Sequence, residues 1–146
     1  MINGIQKIIK KGESGVKKDH QRFYYCKHCG NLIGFIHNSG VPIICCGEEM
    51  TLLEANTTDA SVEKHVPVIK VDGNKVTVEI GSTPHPMIEQ HYIQWIYIQT
   101  EKGGQRKILT PNDPPRAEFM LTDDDKLEIA FEYCNLHGLW KADYEG

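Results

Sequence analysis

Val66–Thr100, VPVIKVDGNKVTVEIGSTPHPMIEQHYIQWIYIQT, is the stretch on which the fold is decided. Val66 to Val71 is an extended apolar run, and Asp72-Gly73 is a strong hairpin-turn dipeptide. Val76, Val78 and Ile80 then alternate with Lys75, Thr77 and Glu79, the period of two that marks a half-buried strand. His91 to Thr100 is β-branched and aromatic and reads as the next strand. The segment between them cannot be helix interior. Proline lacks an amide donor and pushes the residue before it into extended geometry, so Pro84-His85-Pro86 holds His85 on a stiff loop.

Toward the carboxyl end the same texture continues. A turn at Gly103-Gly104 precedes a short strand at Lys107–Thr110 and a loop from Pro111 to Pro115. Ala117–Leu121 and Leu127–Cys134 follow, separated by the acidic turn Asp123-Asp124-Asp125. Frequent short strands with turn signals and no long helical pattern predict an all-β, antiparallel sandwich or barrel.

Toward the amino end the character changes. Leu53–Glu63, LEANTTDASVE, is small and polar and reads as a linker. Before it, FYYCKHCGNLIGFIHNSGVPIICCGEEM carries Cys26, Cys29, Cys45 and Cys46, each pair followed by a glycine. Leu32 to Ile36 reads as an outgoing strand and Val41 to Ile44 as its return, with a turn at Asn38-Ser39-Gly40. That hairpin brings both pairs to one point as a tetrahedral four-thiolate site, used by zinc and by iron–sulfur centres alike. Four sulfurs complete a tetrahedron, so His28 reads as a bystander. The division expected is a basic extension over residues 1–22, a four-cysteine module over 23–57 and a β domain over 58–146.

With 146 residues, 40% hydrophobic and 25% charged, the composition is that of an ordinary globular protein. No apolar run reaches the length of a membrane helix, and the first residues lack a secretory pattern, so the expected location is cytoplasmic. In a reducing compartment cysteines bind metal more often than they form disulfides. The net charge of −4 hides an asymmetry. Residues 1–22 carry six basic against two acidic side chains, and the rest ten against eighteen. No aromatic interleaving accompanies the basic segment, so no nucleic-acid partner is expected. Ile2, Ile5, Ile8 and Ile9 have helical spacing for barely two turns, too short for a stable isolated helix.

The β domain holds a second set of metal donors. His65 precedes its first strand, His85 and His91 flank a loop, and Cys134 and His137 follow its last strand, all at strand ends or in loops. Four imidazoles and one thiolate suit Fe, Zn, Cu or Ni. Five donors exceed the four of a structural zinc site. On a six-coordinate metal they leave one position for a ligand.

The segments EKHVP, GSTPHPMIEQHYIQWI and CNLHGLWKA, preceded by C-x2-C-G and CCG, closely resemble desulfoferrodoxin, the two-iron form of superoxide reductase. The resemblance spans about residues 23 to 142 and matches both sets of donors in order and spacing. It implies a rubredoxin-like (desulforedoxin-like) iron module with Cys26, Cys29, Cys45 and Cys46 as ligands. An immunoglobulin-like antiparallel β-sandwich follows, binding a second iron through His65, His85, His91 and His137 with Cys134 as axial thiolate. The family's loop glutamate and lysine fall on Glu63 and Lys64. The implied activity is one-electron reduction of superoxide to hydrogen peroxide, with Lys64 guiding the anion and Glu63 capping the resting metal. A rubredoxin-type electron donor and a homodimer are implied as partners. The first 22 residues depart from the family pattern.

Two other readings compete. A C-x2-H loop closing a β-sandwich invites comparison with an electron-transfer copper domain, but no methionine follows His137 and the extra histidines are surplus. A non-catalytic, zinc-stabilised module is the other; metal content separates all three.

Overall fold

The computed structural model describes residues 20–146; the basic extension and the helical spacing read within it lie outside the described residues as far as Asp19. Its elements are β1 (Phe23–Tyr25), β2 (Leu32–Gly34), β3 (Ile44–Cys45), β4 (Glu48–Glu49) and β5 (Thr51–Leu52), then a single helical turn, α1 (Val62–His65). Seven further strands follow: β6 (Pro67–Asp72), β7 (Lys75–Ile80), β8 (Ile93–Thr100), β9 (Gly103–Ile108), β10 (Arg116–Met120), β11 (Leu127–Cys134) and β12 (Gly138–Asp143).

These seven form two antiparallel sheets, ordered β10-β7-β6 and β12-β11-β8-β9. Val76, Val78 and Ile80 of β7 meet Ile93, Ile96 and Ile98 of β8, Phe119 of β10 and Ala130 of β11 in one core. The architecture is an immunoglobulin-like sandwich, as the alternation in β7 requires: one face must be covered. Each fully buried isoleucine there contributes about 1.5–3 kcal/mol.

The central strands of the second sheet, β8 and β11, are buried on both sides. Its outer face, Trp95, Ile129, Phe131 and Leu139, packs against Phe23 of the amino-terminal module. The Phe23 ring lies 5.0 Å from Trp95 and 5.4 Å from Phe131 between centroids. Two register shifts arrange the faces. Tyr133 pairs with Trp95 while Cys134 pairs with Ile93, so β8 carries one extra residue, Gln94, at that point. A bulge of this kind re-aims side chains. It turns Ile93 to the inner core beside Cys134.

Three expectations change. Leu32–Ile36 does not pair with Val41–Ile44; β2 pairs with β1, and β3 with β4. The reason is the Asn38 side chain, which accepts the Gly40 amide at 2.8 Å and makes a local turn in place of a hairpin. The short strand expected at Lys107–Thr110 begins at Gly103, ends at Ile108 and pairs with Trp95–Thr100 of β8. Leu53–Glu63 is no loose tether: the Leu53 amide donates to the Phe23 carbonyl at 2.9 Å, the Asn56 side chain accepts from the Lys141 amide, and the stretch ends in α1.

Candidate metal centres

In the amino-terminal module two tight turns face each other. In the first, the Gly30 amide donates to the Cys26 carbonyl at 2.9 Å, and Gly30 takes φ +82°. In the second, Cys45 pairs with Glu48 across a two-residue turn whose central residues, Cys46 and Gly47, have φ of 53° and 76°. A hairpin of this type needs two left-handed residues, so the non-glycine Cys46 is held in a conformation an L-residue adopts at a cost. The sulfurs of Cys26, Cys29, Cys45 and Cys46 all lie within 4.8 Å of one another, with Cys29 and Cys45 at 3.6 Å. None is in a disulfide. The backbone N–H groups of Cys29 and then His28 bring the Cys26 thiol down to about 6, against the opposing effect of burial. Cys46 is pushed up to about 12, chiefly by its hydrogen bond with Cys29. Such a set shares its protons until a cation replaces them. His28 is exposed and reaches Glu48 across the two turns at 3.3 Å, outside the sulfur cluster.

The second cluster lies at one end of the sandwich. His65 ends α1, His85 and His91 come from the loop before β8, Cys134 ends β11, and His137 sits in the turn to β12. The ring centroids His65–His85, His85–His91, His91–His137 and His137–His65 are 4.8, 4.6, 5.1 and 4.8 Å apart. His65 and His91 are 6.4 Å apart. Four near-equal edges and a longer diagonal describe a square. Neighbouring rings stand at 76° to 89° to each other. Donor atoms of His65, His91, Cys134 and His137 all lie within 4.8 Å of one another; His85 stands outside that group, its Nε2 reaching His65 Nε2 at 3.3 Å.

The nitrogen that each ring offers is set by its other contact. His65 Nδ1 donates to the Ser61 carbonyl at 2.7 Å, and His85 Nδ1 to the Pro86 carbonyl at 2.6 Å, which leaves Nε2 of each facing inward. His91 Nε2 is buried without a partner. His137 Nδ1 lies 3.1 Å from His65 Nε2 and 3.8 Å from Cys134 Sγ. An orphaned buried nitrogen within a cage of acceptor atoms has no protein partner to satisfy it, and a cation does so. Burial lowers His65, His91 and His85, the last to about 4, so these rings are neutral at pH 7 and able to bind metal. Burial raises the Cys134 thiol, while the backbone N–H groups of Leu136 and His137 act in the other direction. Among the described residues no carboxylate joins the cluster. This donor set, nitrogen-rich with one sulfur, fits a transition metal and not a hard cation.

Glu63 and Lys64 stand exposed on α1, immediately before His65. The Glu63 carboxyl is held low chiefly by its own backbone N–H, with Lys64 adding to the effect, so it is ionised.

Several supporting residues escape a sequence reading. Trp140 is buried and stacks on His65 at 4.9 Å while its indole N–H donates to the His137 carbonyl at 3.1 Å. Asn135 accepts the Tyr92 amide and donates to the Gln90 carbonyl, fastening the His91 loop to the Cys134–His137 turn. Their only signal was proximity to a candidate ligand. Glu132, two residues before Cys134, is fully buried with neither carboxylate oxygen bonded, and burial pushes its carboxyl well up.

The comparisons with known proteins follow the two clusters. The desulfoferrodoxin family profile matches residues 57–143, and that of the desulfoferrodoxin N-terminal domain matches residues 18–53. A desulfoferrodoxin homolog of Archaeoglobus fulgidus is 48% identical over 119 residues, covering 82% of this chain and 94% of its own length. The desulfoferrodoxin of Nitratidesulfovibrio vulgaris is 46% identical over 120 residues, with the same coverage. The crystal structure of superoxide reductase from Treponema pallidum superposes with a TM-score of 0.73 at 38% identity, covering 86% of this chain and all of that one.

Proposed function

The chain belongs to the desulfoferrodoxin family, and on that footing we propose that Cys26, Cys29, Cys45 and Cys46 hold one iron while His65, His85, His91, His137 and Cys134 hold the other. The protein is a superoxide reductase, with iron as the cofactor of both centres. The observation that carries the residue assignment is the square of four imidazoles with the Cys134 sulfur beside it. Bound there, ferrous iron supplies the single electron that superoxide needs to become, with two protons, hydrogen peroxide.

The chain's own residues do the remainder. Carbonyls of Ser61 and Pro86 fix two ring tautomers, so the donors are aimed before the metal arrives. Cys134 ionises only against a cation, and its charge is then held beside the imidazoles by two backbone N–H groups. Lys64 would guide the substrate anion at the rim, and Glu63 is the carboxylate that would cap the resting site. The protein body is acidic, so this attraction is local.

Turnover requires a one-electron donor, for which a rubredoxin-type protein is proposed. A homodimer is proposed as well, supported by the exposed Ile36, Val41 and Ile44 of the module and by the unpaired edge of β9. Five free cysteines favour a reducing cytoplasm, and among the described residues no helix is long and apolar enough to cross a membrane. The division at residues 1–22, 23–57 and 58–146 is kept as the domain assignment.

The test is direct. Purified protein should contain about two irons per chain and consume superoxide without releasing oxygen. Oxygen released at half the rate of superoxide loss would mean dismutation instead. Cys134→Ser should abolish the ferric thiolate absorption; a retained band would remove Cys134 from the shell. Lys64→Ala should slow the reaction and weaken its salt dependence.

A further inference from the structure

We infer that Gly81 is a positioning residue for the Glu63–Lys64 segment, because its missing side chain is what lets the turn after β7 close directly against α1. The helical turn cannot position itself. It has four residues, no side-chain hydrogen bond at its amino cap, and two backbone closures, Val66 N–H to the Val62 carbonyl at 3.0 Å and Lys64 N–H to the Ser61 carbonyl at 3.2 Å. An isolated turn of that length is not stable. It is held from outside. The Thr83 amide and the Ser82 hydroxyl both donate to the Glu63 carbonyl, at 3.0 and 3.3 Å, and the Gly81 amide donates to the Val66 carbonyl at 3.2 Å. The backbone of Glu63 is thereby fastened while the side chains of Glu63 and Lys64 stay exposed at the rim.

That fastening needs glycine twice over. Gly81 has φ +82°, and a Cβ there would overlap the Thr83 carbonyl and stand 2.7 Å from the Glu63 carbonyl oxygen and 2.8 Å from Lys64 Cα. All three obstacles are backbone atoms, which cannot rotate aside. The β7 side cannot retreat either, since Ile80 is buried and its amide is tied to the Pro115 carbonyl at 2.8 Å. The element that must give is α1, which carries Glu63 and Lys64. His65 is held from outside α1 by its stack on Trp140, so displacement is expected at the rim before the metal donors.

The inference rests on the proposed role of Lys64, and the experiment separates the two. Iron-loaded full-length Gly81→Ala and Gly81→Asn are compared with Lys64→Ala and with Gly73→Ala, a control whose glycine has φ +59° and open space around it. Two quantities are measured: the second-order rate with superoxide against ionic strength, and hydrogen exchange at the Thr83 amide. Both Gly81 variants should exchange Thr83 at least about tenfold faster. They should also lose rate and salt dependence to the extent Lys64→Ala does, with two irons and the ferric thiolate band retained, and Gly73→Ala should do neither. Restoration by Asn, which tolerates left-handed backbone, would show that φ alone matters and overturn the inference. So would unchanged exchange at Thr83, or a rate loss explained by lost iron. If Lys64→Ala leaves rate and salt dependence unaltered, the role of Lys64 fails, while exchange at Thr83 still decides whether Gly81 positions the segment.

Discussion

The amino-terminal module and the sandwich both gather cysteine and histidine side chains at one point, but by different means. In the module from Phe23 to Leu52 only Phe23, Cys26 and Met50 are buried apolar residues, its strands are two or three residues long, and its sulfurs project from two turns. The sandwich has strands of up to eight residues around a shared aliphatic core, with its donors fixed at the strand ends by carbonyls and a tryptophan. A small module with little core depends on its metal for its fold, whereas a large core can hold a site in shape beforehand. One centre is structure made by a cation; the other is structure waiting for one.

The largest effect that would sharpen this contrast is metal removal. Chelation under reducing conditions, or Cys45→Ser with Cys46→Ser, should abolish exchange protection of amides between residues 24 and 52 and leave that of β7, β8 and β11 intact. Protected amides in a metal-free module would break the contrast. Next come the residues that tie each region down. Trp140→Ala should destabilise the sandwich by about 3–5 kcal/mol in denaturant unfolding, and Phe23→Ala should cost about 3 kcal/mol, by loosening the module from the outer sheet. An equal loss of module protection in both variants would mean that the two regions unfold as one.

Acid should act more gently on the sandwich site. Burial puts His85 at about 4 and lowers His65 and His91, while in the unfolded chain histidine titrates near ~6.5. The unfolded state therefore binds more protons in that window, and stability falls as pH drops from about 6.5 toward about 4. Denaturation midpoints of metal-free Glu132→Leu, which lacks the buried carboxyl that titrates with the opposite sign, check this at intervals across the range; a flat profile would mean that the rings are already solvated. The smallest effect has the opposite direction. Glu132→Leu removes a buried carboxyl that bonds to nothing and should raise the unfolding free energy by about 1 kcal/mol. A drop instead would show that the carboxyl has a partner in solution. Since its carboxyl is held high, the wild-type residue opposes folding increasingly as pH rises above its unfolded value of about 4.3.

The sequence alone pointed to the cysteines and histidines that gather in the two clusters, because cysteine and histidine at turns carry their own chemistry and Pro-His-Pro announces a stiff loop. It determined the strands too, where alternation is local, as in Val76-Thr77-Val78-Glu79-Ile80. It did not decide that β2 pairs with β1, since pairing is settled by competition between distant segments and the Asn38–Gly40 turn removed the local partner. Only tertiary structure arranged the four imidazoles as a square, chose which nitrogen each presents, and set Trp140 against His65. It also buried Glu132 without a partner and brought Gly81 against Lys64. Those are facts of register and close approach between segments far apart in the chain, and no period along the sequence encodes them.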